Sequence, residues 1–447
     1  MDNEFEISRR RLIGGAAIAA TAVAGSTSAT ARKLASAKSA MPPRFLWGAA
    51  TSGYQVEGNN INSDFWFLEH VKLPGGSSPF PDKSGDACDH YHRFAEDIKL
   101  LASLGLNSYR FSLEWSRIEP EKGEYSKAEL DHYRRMAATC REHGVTPCIT
   151  FNHFTTPRWF AFEGGWDAAS SPELFARYCE FAVKGVGDLA GLATTLNEPN
   201  VGLMLQWSDM PAEVKAGMVA MPAMVGAHSP TGTFSIWMAG DQSKKLPNML
   251  KAHEKGFEAI KAGPGDFPVG VSLAVTDDQA VGKGSMRDAK RAACYEPWMD
   301  LIARCSDFMG VQNYSRLRFD TEGAMKPPAG AELTSTGEEF YPEALGNAIR
   351  YAHARTKKPI YVTENGIATN DDTRRVEHMR RAIASMQSCI NDGVPVHGYL
   401  HWSLLDNYEW GRYAPRFGLV AVDLATQVRT PKPSAYELGK FARANIS

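Results

Sequence analysis

The stretch LATTLNEPNV, residues 192–201, changes from largely apolar to polar within a few residues. Its first five residues are typical of a buried β-strand, and Asn197 and Glu198 follow where that strand would end, before Pro199 stops it. The same order recurs in PIYVTENGI, residues 359–367, where Glu364 follows an apolar run and Asn-Gly signals a turn. Two glutamates at strand ends indicate one shared site, if both strands belong to one parallel sheet.

Short β-rich runs alternate with amphipathic stretches along the chain after residue 40. The predicted strands span residues 45–51, 108–113, 145–151, 192–196, 268–274, 307–312, 359–363 and 396–402. The predicted helices span residues 87–104, 127–143, 172–189, 247–261, 341–355 and 372–391. This alternation predicts an α/β fold, a single (β/α)8 TIM barrel over residues 41–447 with an elaborated loop after strand 4. A doubly wound sheet is the alternative, but the first strand lacks the glycine-rich phosphate turn that would favour it.

The first forty residues have the anatomy of a targeting segment. Consecutive arginines in SRRRLI, residues 8–13, precede a Gly/Ala-rich apolar run over residues 12–25, and Ala-x-Ala steps end at Ala31 and Ala37. We therefore predict a twin-arginine signal peptide and linker over residues 1–40, and a periplasmic or secreted protein that engages the twin-arginine export machinery. An N-terminal membrane anchor is the alternative, although the apolar run is shorter than the about 20 residues that a spanning helix needs.

The composition excludes several classes of function. The 447 residues are 43% hydrophobic and 22% charged, which is typical of a globular protein with a large core. A net charge of −2 gives no electrostatic attraction to nucleic acid or to an anionic membrane, so we expect no nucleic-acid partner. Seven scattered cysteines, none in a CxxC pair, disfavour a disulfide framework and leave a single disulfide open.

Polar side chains follow the predicted strands at the edge where (β/α)8 barrels hold their sites. They are Gln55, Arg110 with Glu114, His153, Asn197 with Glu198, Tyr314, Glu364 and Trp402. Two carboxylates among groups that bond hydroxyls predict cleavage of a glycosidic bond. One carboxyl would protonate the leaving oxygen while the other attacks the anomeric carbon or activates water. A structural ion pair is the alternative interpretation of the two glutamates.

Other chemistries have less support. The best metal candidate, Asp89-His90-Tyr91-His92, precedes a helix on which its two histidines would not share a face, so a structural use is favoured. A serine nucleophile is disfavoured because no G-x-S-x-G elbow occurs. We therefore expect no metal and no cofactor.

Seven blocks in the expected order resemble glycoside hydrolase family 1, the β-glucosidase family. They are FLWGAATSGYQVEG (45–58), YRFSLEWSRIEP (109–120), NHFTTPRWF (152–160), TLNEPN (195–200), YVTENGI (361–367), LHWSLLDNYEW (400–410) and RFGLVAVD (416–423). The resemblance implies a retaining mechanism with Glu198 as acid/base and Glu364 as nucleophile, the latter supported by Arg110 and Tyr314. It also implies a set of substrate-binding residues: Gln55, His153, Asn197, Tyr314, Trp402, Glu409 and Trp410. Of these, Asn197 would bond the sugar 2-hydroxyl.

The predicted activity is thus hydrolysis of terminal non-reducing β-D-glucosyl, or related β-glycosyl, residues by double displacement. Two alternatives stay open. One is a transglycosylase on the same scaffold, and the other is a non-catalytic sugar-binding protein, which would normally lack one of the two glutamates. A carboxylate at Glu409 suits free 4- and 6-hydroxyls and would repel a 6-phosphate, so phosphoglycosides are disfavoured.

Departures from the family pattern concern the leaving-group side. In GVQNYSR, residues 310–316, Gln312 stands where the family usually has Asn and Asn313 where it has Tyr, while Tyr314 keeps its place. The chain also departs after NEPN and is short between Ala274 and Asp307. Residues 201–242, the least regular segment, are rich in Met and Trp. Local packing of an insertion explains them most simply, and an adaptable wall for an apolar or aromatic aglycone is the sharper interpretation.

Overall fold

The computed structural model describes residues 45–73 and 79–444, in which eight parallel strands close into a barrel. We number them β1 Leu46–Ala50, β2 Ser108–Ser112, β3 Thr146–Asn152, β4 Leu192–Asn197, β5 Val269–Ala274, β6 Phe308–Asn313, β7 Ile360–Asn365 and β8 Val396–Trp402. Their spatial order follows the chain, and β1 pairs with both β2 and β8 to close the ring. The (β/α)8 barrel and the eight strands of the prediction are confirmed.

Helices surround the barrel, so its strands are buried on both faces and read as apolar runs in the sequence. The α-helices are Gly53–Val56, Asp64–His70, His90–Ser103, Trp115–Ile118, Lys127–Glu142, Arg158–Phe162, Ser171–Val186, Val201–Gln206, Ala212–Gly226, Gln242–Lys261, Arg287–Cys294, Glu296–Arg304, Ala344–Thr356, Asp372–Asn391 and Pro433–Ala444. Local sequence sets some of their starts. For example, the Ser126 hydroxyl accepts a hydrogen bond from the Glu129 N–H at 3.2 Å and so caps Lys127–Glu142.

The small strands outside the barrel form two separate sheets. One contains Asp277–Ala280, Arg316–Phe319 and Ala324–Met325, and the other contains Val420–Val422 and Arg429–Pro431. Residues 319–338 contribute the edge strand Ala324–Met325 to the first sheet. That sheet follows directly on β5 and β6 and therefore stands at the C-terminal end of the barrel.

The segment after β4 is more regular than the sequence suggested. Residues 201–242 contain the helices Val201–Gln206 and Ala212–Gly226, so the prediction of an irregular segment is wrong in this respect, although its position after strand 4 is confirmed. Ala and Met favour helix there, whereas the apolar residues are spread around Ala212–Gly226 and hide the usual helical periodicity.

Three predictions concern regions or features apart from the barrel. The proposed signal peptide over residues 1–40 lies outside the described residues. Among helices in the described part of the chain, none is both long and apolar enough to cross a bilayer. All seven cysteines are free, and all but Cys305 are buried.

Candidate active site

Glu364 lies near the end of β7 and is fully buried. Its Oε1 accepts a hydrogen bond from Arg110 Nη1 at 3.0 Å, and its Oε2 accepts one from the Tyr314 hydroxyl. Arg110 belongs to β2 and Tyr314 follows β6, so side chains from three strand ends meet at one carboxylate. The guanidinium carries a permanent positive charge that compensates the carboxylate in this buried position.

Glu198 directly follows β4, and its backbone has a φ of 43°, in the left-handed region that few residues other than glycine adopt. Three hydrogen bonds hold this turn: the Glu198 N–H donates to Ser272 O at 2.7 Å, and Glu198 O accepts from Val201 N–H at 3.0 Å and from Trp237 Nε1 at 3.3 Å. Glu198 and Tyr314 line one cavity. Since Tyr314 also contacts Glu364, the structure brings the two glutamates to one site, as the sequence predicted.

Asn197 connects this centre to the neighbouring strands. Its Oδ1 accepts hydrogen bonds from Arg110 Nη2 at 2.6 Å and from Gln312 Nε2 at 2.8 Å. Its Nδ2 lies 3.1 Å from His153 Nε2. Side chains from three other strands thus fix the Asn197 side chain beside Glu198, which is the arrangement expected of a rigid substrate-binding site.

The other predicted substrate-binding residues form a second group. Glu409 Oε2 accepts a hydrogen bond from Gln55 Nε2 at 3.2 Å, and its Oε1 accepts one from Trp402 Nε1 at 3.0 Å. The His153 ring stacks on Trp402 with centroids 5.7 Å apart and on Trp410 with centroids 6.2 Å apart. His153 therefore joins the two groups, and the structure assembles every predicted site residue into one set.

Buried carboxyl groups brace the loops that carry these side chains. Glu114, which the sequence placed among the strand-end residues, accepts hydrogen bonds from Tyr54 N–H at 3.1 Å, Asn60 Nδ2 at 2.6 Å and Thr155 Oγ1 at 2.9 Å. These partners are next to or near Gln55 and His153 in the chain. Burial raises the pKa of Glu114 well above its usual value, and nearby Glu57 raises it further. Glu114 thus supports the loops that carry Gln55 and His153 rather than forming part of the two-glutamate centre.

Asp64 ties a second pair of loops together. It accepts hydrogen bonds from the Thr156 N–H at 3.0 Å and the Thr156 hydroxyl at 2.9 Å, close to His153 in the chain. Burial raises the pKa of Asp64 to about 7, although the surrounding donors act in the opposite direction.

Two residues of the site were not predicted as site residues. Trp237 contacts the Glu198 carbonyl from within residues 201–242, where no strand-end signal marks it. Gln312 contacts Asn197 from the end of β6. The strand-end rule applied to β6 could have identified Gln312, whereas only the tertiary structure identifies Trp237.

The cavity beside Glu198 has a mainly apolar lining. Its apolar side chains include Val201, Met204, Leu205, Val275 and Leu317. The helix Val201–Gln206 provides three of them, because its apolar residues face the barrel end. The polar group around Glu409 and this apolar cavity therefore adjoin the same glutamates.

Within residues 45–73 and 79–444, no group of His, Cys, Asp and Glu side chains could hold a metal ion. The histidines of the DHYH stretch have protein partners instead. His90 Nδ1 lies 2.8 Å from Asp97 Oδ2, and His92 Nδ1 lies 2.6 Å from Asp89 Oδ1.

Fold and site together define the class of barrel glycoside hydrolases. The sequence profile of Glycosyl hydrolase family 1 matches residues 37–300 and 299–446. The chain therefore belongs to glycosyl hydrolase family 1, as its motifs indicated, and it is a glycoside hydrolase.

Individual relatives agree with this assignment. Beta-glucosidase A of Thermotoga maritima is 30% identical over 463 residues, an alignment that covers 90% of this chain and 98% of the relative. The apo structure of β-glucosidase 1317 superposes on this chain with a TM-score of 0.86 and 45% sequence identity. The match covers 90% of this chain and 99% of that chain. The crystal structure of β-glycosidase BGL167 matches with a TM-score of 0.85 and 46% sequence identity, and the match covers 90% of this chain and 97% of that chain.

Proposed function

We propose that this glycoside hydrolase is a retaining β-glycosidase that releases terminal non-reducing β-D-glucosyl, or related β-glycosyl, residues. One observation carries the proposal: Glu364 is held by Arg110 and Tyr314, while Glu198 stands at the cavity that Tyr314 also lines. Two carboxyl groups at one site, in unlike surroundings, suit the two roles that retention requires.

In the first step, Glu364 attacks the anomeric carbon and the bond to the leaving oxygen breaks, while Glu198 transfers its proton to that oxygen. In the second step, Glu198 takes a proton from water, whose oxygen attacks the anomeric carbon and releases Glu364. Two inversions give net retention, and this mechanism expects the carboxyl groups to stand about 5–5.5 Å apart. Arg110 and Tyr314 hold the Glu364 carboxylate in place for attack.

The polar group around Glu409 would bind the sugar. Its carboxylate accepts from Gln55 and Trp402, while Trp402 and Trp410 offer flat faces beside His153. Aromatic faces and charged hydrogen-bond acceptors are the groups that sugars require. In support, the β-glucosidase from Thermotoga maritima, 27% identical to this chain, is solved in complex with glucoimidazole.

The cavity beside Glu198 would receive the leaving group. Val201, Met204 and Leu317 give it an apolar lining, which favours an apolar or aromatic aglycone over a highly hydroxylated one.

Residues 1–40 would direct the folded protein through the twin-arginine route to the periplasm or the medium. Replacing Arg9 and Arg10 together by Lys, followed by cell fractionation, tests this localisation, and unchanged export would refute it.

Proton NMR of the mature protein acting on an aryl β-glucoside tests the mechanism. The first anomer to appear before mutarotation should be β-glucose. Early α-glucose would show inversion and overturn the role of Glu364, and no release from a panel of β-glycosides would favour a binding protein. Adding an alcohol acceptor and comparing free glucose with alkyl glucoside separates hydrolysis from transglycosylation.

A further inference from the structure

Gln312 occupies a position between the two glutamates. It pairs in register with Glu364 across β6 and β7, it is only 1% exposed, and it lines the cavity together with Glu198. The proposed mechanism gives it no role.

The neighbours of Gln312 fix which way its amide group is oriented. Arg110 has only donors, so the Asn197 atom that contacts Arg110 Nη2 must be the acceptor, Oδ1. The same Oδ1 lies 2.8 Å from Gln312, whose contacting atom must therefore be the donor Nε2. Reversing either amide would place two donors or two acceptors against each other.

This orientation determines what the other end of the amide can do. Gln312 Oε1 is buried and has no hydrogen-bond partner among residues 45–73 and 79–444. Buried carbonyl oxygens are normally hydrogen-bonded. The apolar side chains that share its cavity, such as Val201, Met204 and Leu317, cannot supply a donor. Gln312, which lines this mainly apolar cavity together with Glu198, thus carries an oriented acceptor that no described protein donor uses.

We propose that Gln312 is a further specificity-determining residue, whose Oε1 accepts a hydrogen bond from a leaving-group hydroxyl close to the glycosidic oxygen. The inference rests on the proposed function and refines its substrate class. The favoured aglycone is apolar or aromatic with one hydroxyl near its point of attachment, such as an aryl group with an ortho hydroxymethyl substituent. Sites that hydrogen-bond a substrate hydroxyl discriminate strongly against analogues that lack it.

The test compares two aryl β-glucosides of nearly equal size, 2-(hydroxymethyl)phenyl and 2-ethylphenyl, with unsubstituted phenyl β-glucoside as the reference. We expect wild-type kcat/KM to favour the hydroxymethyl compound by about 5- to 10-fold, the range of one hydrogen bond. Gln312→Met keeps the length of the side chain but removes Oε1, and it should reduce this preference to about one. Should that variant lack a thermal unfolding transition, Gln312→Asn, which withdraws the carbonyl, replaces it with the same expectation.

Using a ratio separates the proposed contact from an effect through Asn197. Asn197 acts on the sugar, so losing its support lowers turnover of both substituted glucosides equally and leaves the ratio unchanged. An unchanged ratio in the variant, or no wild-type preference for the hydroxymethyl compound, overturns the inference. If phenyl β-glucoside alone were turned over, the inference about Gln312 would also fail, but the proposed function would stand. If none of the three glucosides were turned over, both the inference and the proposed function would fail.

Discussion

The two sides of the pocket are built differently. On the proposed sugar side, Gln55 and Trp402 both donate to Glu409, and the residues stand at or just beyond the ends of barrel strands. On the proposed leaving-group side, the cavity is lined by the helix Val201–Gln206 and by Leu317, which belong to segments added to the barrel. The first side depends on directional hydrogen bonds and the second on shape and apolar area. Sugar and leaving-group preference can therefore change separately on one scaffold.

The largest effect is expected at the carboxylate that both sides share. Glu364→Ala removes the proposed nucleophile, so turnover should fall by on the order of 10⁴-fold or more for every β-glucoside, whatever its aglycone. Steady-state rates on phenyl and methyl β-glucoside measure this, with the thermal unfolding temperature as the control for folding. Residual activity within tenfold of wild type would remove Glu364 from that role.

Glu198→Ala should give a smaller effect that depends on the leaving group. The proton from Glu198 matters most for poor leaving groups, so we expect losses of about 10²- to 10⁴-fold on phenyl β-glucoside. A dinitrophenyl β-glucoside, whose leaving group needs no protonation, should lose far less in its first step. Pre-steady-state release of the phenol measures that step, and equal losses on both substrates would contradict an acid role.

Glu409→Leu addresses the sugar side alone. It removes one acceptor of the Gln55 and Trp402 N–H groups and a proposed partner of the sugar hydroxyls, so kcat/KM should fall by about 10- to 100-fold. The loss should be equal for aryl and methyl β-glucosides, because both carry the same sugar. A loss confined to aryl substrates would contradict the assignment of Glu409 to the sugar side alone.

Leu317→Ser addresses the leaving-group side alone. Removing apolar area from the cavity should lower kcat/KM for aryl β-glucosides by about 3- to 10-fold and leave methyl β-glucoside nearly unchanged. Leu333→Ser is the matched control, since Leu333 is 50% exposed and does not line the cavity. Equal effects of the two substitutions would argue against the cavity as the aglycone site.

The last prediction concerns stability rather than turnover. Asp64 has a pKa of about 7 in the folded protein against an ordinary value of 3.8, so between these values the folded state holds more protons. Its contribution to stability is present below pH 4 and is lost as pH rises towards 7, by up to about 1.4 kcal/mol per pH unit. Asp64→Asn should flatten this part of the stability profile, measured by urea unfolding at each pH. An unchanged slope would show that Asp64 is ionised throughout.

The difference between barrel strand ends and added segments also explains which parts of the site the sequence could predict. Each barrel strand is a local signal, an apolar run that ends at a polar residue or a turn, so the strands β4 and β7 were identified correctly, with Asn197 and Glu364 at or near their ends. The contacts of Trp237 with the Glu198 carbonyl and of Gln312 with Asn197 join residues far apart in the chain. They depend on strand register and on the path of the segment after β4, which local patterns do not determine.

The buried thiols bear on the proposed export route, because they affect whether the chain should fold before or after it crosses the membrane. Burial raises the pKa of Cys88, Cys140 and Cys179, so these sulfurs stay in the protonated form that reacts poorly with oxidants and disulfides. An unfolded chain would instead expose all seven sulfurs to random pairing in an oxidising compartment. Passage across the membrane after folding is complete, which the proposed twin-arginine route provides, would spare the protein that hazard.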